Sequence, residues 1–119
     1  MPSAIDYGPG GTCRRCGTCD ASACRFDAKG DADTRVLRPL LAHSDVRLER
    51  NAEVTRLIAD GEGKRIVAAE VRRSGEILRV EAPVFVLSAG AINSALILLR
   101  SACEAAPDGI ANRSDVVGR

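Results

Sequence analysis

Between Asp45 and Ala82 apolar and charged residues alternate with a period of two. The stretches "VRLER", "AEVTRLIAD", "RIVAAEVRR" and "EILRVEA" are separated by "DGEGK" and "SGE". This alternation predicts strands with one covered and one wet face, and the Gly-bearing breaks predict hairpin turns, so a β-meander is expected. Arg47, Glu49, Arg56, Glu70 and Arg72 fall on the wet faces. The next segment, "PVFVLSA", has no polar alternation. It predicts an interior strand over 84–88, parallel and flanked by helices. From Ala91 the period changes: Ala91, Ile92, Ala95, Leu96, Leu98, Leu99, Ala102 and Cys103 recur at three- and four-residue intervals. An amphipathic helix over 91–104 follows, stopped before Pro107, with Cys103 as a small core residue.

Upstream the pattern is less regular. Residues 1–12 are rich in Gly and Pro, and "CRRCGTCDASAC" then places four of the five cysteines within residues 13–24. "LRPLLAH" predicts a short helix with Pro39 in its first turn, ending by His43, where a cation meets the helix dipole favourably. The expected organisation is an irregular Cys-rich loop over 1–30 followed by an ordered domain over 31–119. The fold class is α/β (or α+β).

Composition narrows the function classes. The chain has 119 residues, enough for one modest core, and 17 basic against 16 acidic side chains give a net charge of +1. No field steers it toward nucleic acid, and with no Trp, one Tyr and two Phe it lacks stacking platforms for single strands. The uncharged run from Pro83 to Leu99 is interrupted by Ser88, Gly90, Asn93 and Ser94, so it divides into strand and helix and no transmembrane segment is expected. The N-terminus lacks the basic and apolar regions of a secretory signal and reads as a cut end. A cytoplasmic setting is favoured over a periplasmic one.

Two places carry candidate chemistry. A buried strand, the turn "SAGA" and a helix resemble half of a dinucleotide-binding unit, although the same spacing also serves ordinary packing. The cysteine spacing C-x2-C-x2-C-x4-C is near the bacterial ferredoxin run, but that run has three residues and a Pro around its last Cys, against four and Arg25 here. Zinc normally needs a second ligand pair, and His43, the only histidine, stands 19 residues beyond Cys24. A disulfide knot requires an oxidising compartment. His43 is not assigned as a general base.

The order of these pieces carries more information than any one of them. The Cys-rich loop leads to "DAKGDADTRVLRPLLAH", "AEVTRLI", "VLSAGAINSALILLRSA" and "GIANRSDVVGR". Together they resemble the middle of the glucose–methanol–choline (GMC) family of flavin oxidoreductases. The chain departs from the family's second signature at Ala95, usually Pro, and at Ala102, usually Gly. No G-x-G-x-x-G follows an N-terminal strand, and the family's catalytic histidine would lie beyond Arg119.

The resemblance implies an internal piece of an FAD-binding domain, from an enzyme that passes hydride from a CH–OH carbon of a small alcohol or sugar to flavin. None of the catalytic residues would lie in this chain, and the isolated chain is expected to be inactive and to hold FAD weakly. Val54 would approach the adenine through its main chain, and Ser88, Ala89 and Gly90 would press against the nucleotide. Some similar dehydrogenases hold an iron–sulfur cluster in a loop like "C..CG.C....C...AK", passing electrons to an external acceptor. That implies Cys13, Cys16, Cys19 and Cys24 as ligands, with a plain loop of free or paired thiols as the alternative. Two rival readings of the whole chain are a small iron–sulfur electron-transfer module and a scaffold retaining only the fold.

Overall fold

The computed structural model describes residues 4–17, 19 and 22–119. The chain forms two compact units that meet between Leu48 and Glu49.

In the second unit three strands, among the described residues, form one antiparallel sheet in the order β1 (Ala52–Ala59), β2 (Ile66–Arg73) and β3 (Glu76–Glu81). The hairpin signals act as expected. Asp60 organises the first turn, its carboxylate accepting from the Lys64 and Arg65 amides at 2.9 and 3.4 Å. Ser74 and Gly75 make the second, with the two positive φ values of a type I′ connection. Across the ladder Arg56 faces Glu70 and Glu53 faces Arg72, forming ion pairs of 3.8 and 3.4 Å.

Helix α2 (Gly90–Arg100) packs on β1. Leu57, Ala69 and Ile97 form the buried cluster, with Ile66, Phe85, Leu87, Leu98 and Ile110 against it. Ser101, fully buried, joins helix to sheet: its hydroxyl donates to the Ile97 carbonyl and accepts from the Leu57 amide at 2.8 Å. The final loop returns to the helix at Gly109, whose φ is +104°. A Cβ there would lie 2.8 Å from Leu99 Cα and 2.9 Å from the Leu98 carbonyl, so only glycine permits this approach.

Four expectations need correction. "VRLER" is not a strand: Asn51 has φ +55°, which turns the chain away from β1. Residues 84–88 are not a buried strand either. Among the described residues no backbone hydrogen bond joins them to another segment, and while Phe85 and Leu87 pack inward, Val84 and Val86 are 74% and 85% exposed. The helix runs over Gly90–Arg100 and not 91–104, because the Ser101 amide bonds back to Leu98, and Cys103 and Ala106 close a separate turn. Its buried face was also misaligned, since Ile97 is buried whereas Leu96 is 39% exposed. A tally of apolar residues cannot tell these two neighbours apart, because both lie at helical spacing from other apolar positions.

In the first unit, Ile5 and Lys29 form an isolated bridge, reinforced by Asp6 N to Ala28 O and Gly30 N to Ala4 O at 2.7 and 2.6 Å. A π-helical stretch, Asp33–Leu37, leads into the short α1 (Arg38–Leu40), where Pro39 occupies the first turn as expected. Arg38 clamps this segment through Asp27 and Asp33, both at 2.8 Å.

Candidate functional site

A groove of about 600 Å³ runs between the start of β1 and α2. Its walls include Val54 from β1, Ser88 and Ala89 from the turn, and Asn93, Leu96, Ile97 and Arg100 from the helix. Three of the four positions expected to meet a nucleotide are therefore neighbours around one cavity. Gly90, the fourth, opens α2 just beyond it.

Local chemistry explains the turn. The Ala89 amide donates to Ser94 Oγ at 3.1 Å, a side chain one turn into the helix holding the residue that precedes it. Gly90 has φ +82°, a conformation that side chains resist. Nothing lies within 4 Å of where a Cβ on Gly90 would project. The space in front of the turn is thus open to a ligand, and a larger residue would both strain the backbone and fill it. A dinucleotide's nucleotide end fits this arrangement: small residues at the turn, apolar walls at Val54, Val86, Leu87 and Leu96, and a volume within the usual range of ligand pockets.

The wall contributed by α2 was not singled out from the sequence. Its signal was available, because Ala89, Asn93, Leu96 and Arg100 follow the three- and four-residue spacing of one helix face.

Four of the five cysteines, Cys13, Cys16, Cys19 and Cys24, lie in the other unit, and all five are free thiols. Cys16, Cys19 and Cys24 line a cavity of about 290 Å³ with Ser22, Arg25 and Phe26. Among the described residues, no three His, Cys, Asp or Glu side chains gather as a metal-binding group. The loop is organised around a cation of its own: Lys29 Nζ donates to the carbonyls of Cys19 and Ser22, both at 2.6 Å. Cys24 Sγ accepts from the Ala28 amide at 3.3 Å, and the Cys19 thiol donates to the Cys16 carbonyl at 3.6 Å. Desolvation, followed by the neighbouring Cys16, pushes the Cys19 thiol's pKa up, so it is less easily ionised than an ordinary thiol. Cys103 stands apart near Gly63.

Comparison with known proteins adds to this geometry. The sequence model of the GMC oxidoreductases matches residues 6–119. The chain is 38% identical over 122 residues to 6'''-hydroxyparomomycin C oxidase of Streptomyces lividus, covering 99% of this chain and 22% of that protein. It is also 38% identical over 122 residues to paromamine 6'-oxidase of Streptomyces fradiae, covering 99% and 23% respectively. The chain thus spans less than a quarter of the length of these relatives.

Proposed function

The chain belongs to the GMC oxidoreductase family, and we propose that its groove holds the nucleotide end of FAD in an enzyme that oxidises a CH–OH group of a small alcohol or sugar. The observation that carries this reading is the meeting of Val54, Ser88 and Ala89 around one cavity, with open space before Gly90. The relatives support the reaction class, since one is named for oxidation of a hydroxylated compound and the other for oxidation at a 6' position.

In this reading the chain contributes binding and orientation. Val54 offers strand backbone to the adenine, and Ser88, Ala89 and Gly90 let the nucleotide lie close to the main chain. The helix face at Leu96 and Ile97 excludes water from one side of it. When bound, FAD supplies the hydride acceptor, with electrons then leaving to an external acceptor. The groove is lined by no histidine, and in this reading its residues bind and orient the nucleotide and take no proton.

The test is Ala89→Leu in the full-length protein, where the added side chain occupies the groove without demanding an unusual backbone. Loss of co-purifying flavin through gel filtration, with an unchanged far-ultraviolet circular dichroism spectrum, supports the reading. Stoichiometric flavin in the variant overturns it.

A further inference from the structure

We infer that Arg100 is a specificity-determining contact for the adenine ring, holding it by laying the guanidinium plane against it. The inference rests on the nucleotide reading above and names a residue that the sequence motifs did not single out.

Four polar side chains line the groove: Glu53, Ser88, Asn93 and Arg100. Glu53 is already paired with Arg72 at 3.4 Å. Among the described residues the Arg100 guanidinium makes no hydrogen bond or ion pair, which leaves the groove an uncommitted cation. It ends α2 and lines the groove together with Leu96 and Ile97, one turn before it, the direction in which helix side chains lean.

That position favours a flat ring over a phosphate. Phosphates collect where several backbone N–H groups converge, as at helix N-termini. Arg100 instead stands at the carbonyl end of α2, whose partial negative charge disfavours an anion. Among the surfaces sharing the cavity with it, Val54, Leu96 and Ile97 suit an uncharged aromatic face. Arginine stacks on such rings through its delocalised plane, whereas a lysine ammonium is a strongly hydrated point charge.

The experiment uses the full-length protein stripped of flavin, with FAD binding followed by fluorescence and adenosine and ADP as competitors. Arg100→Ala and Arg100→Lys should each weaken FAD about fivefold, the upper size of a guanidinium–ring contact at an exposed side chain. Both should weaken adenosine and ADP by the same factor. Arg100→Lys keeps a cation at the helix end, so its melting temperature without ligand should match the parent and its loss of affinity reports the lost plane. If ADP alone is weakened, Arg100 serves a phosphate and the adenine assignment fails. If Ala89→Leu loses FAD while both Arg100 variants bind adenosine normally, this inference fails and the groove reading stands. If Ala89→Leu retains FAD, the groove reading fails and this inference with it.

Discussion

In residues 49–119 a sheet and a helix meet through Leu57, Ala69 and Ile97, whereas in the Cys-bearing unit Ala28 is the one buried apolar residue among those described. That unit is held by the short bridge at Ile5 and Lys29 and by polar side chains: Lys29 on two carbonyls, Asp6 on Thr12, and Arg38 on two aspartates. One unit depends on excluding water, which is collective. The other depends on specific bonds at a wet surface, each of small net worth. The groove assigned to the nucleotide is in the first kind of structure and the four clustered thiols are in the second.

The contrast can be broken most sharply at Ile97. Ile97→Asp buries an unpaired charge in the cluster and should cost about 4 kcal/mol in urea unfolding, while Leu96→Asp, one residue away but partly exposed, should cost about 1 kcal/mol. Equal losses would mean the buried face is placed wrongly. Gly109→Ala comes next, at about 2 kcal/mol, because the new methyl meets helix backbone at a φ that alanine resists. A melting temperature like the parent's would show that the loop yields freely.

In the other unit, Lys29→Met removes the cation from the Cys loop. The expected result is local, about 1 kcal/mol, read as several-fold faster alkylation of Cys24 with no change in the melting of residues 49–119. Unchanged alkylation would mean that the backbone bridge alone holds the loop.

The smallest effect is on pH dependence. Asp6 and Asp31 are held below the usual carboxylate range, chiefly by accepting the backbone amides of Thr12 and Thr34. Because their folded pKa values are depressed, the stabilisation is fully present above the ordinary carboxylate range and is lost as pH falls through the lowered values. Asp6→Asn with Asp31→Asn should therefore flatten the acid limb of stability in the first unit, followed by hydrogen exchange of the Ala28 amide against pH. An acid limb identical to the parent's would remove these carboxylates from the account.

The same division decides what could be read from sequence. β1 and β2 were legible because the face they turn to the helix favours apolar residues, and β3 because it keeps the same alternation, although all six of its residues are exposed and the covered face expected for it is not found; the turns were legible because Asp60 and the Ser74–Gly75 pair have few other uses at those positions. The groove was half legible: the turn at Ser88–Gly90 follows from its small residues, but the wall at Asn93 and Arg100 consists of ordinary surface types until the helix places them opposite β1. The Cys loop was least legible. Its architecture depends on Lys29 reaching back to residues 19 and 22, a long-range polar choice that leaves no period in the chain.

The extended stretch at 84–88 has a practical consequence for this polypeptide handled alone. It combines outward-facing valines with main-chain groups that no neighbouring backbone satisfies, the two properties that make a strand margin adhesive. Self-association of the isolated polypeptide through that margin, rising with concentration, is the expected outcome, and light scattering over a concentration series checks it. Val84→Lys, at a position that does not line the groove, would act there as a gatekeeper and keep solutions clear.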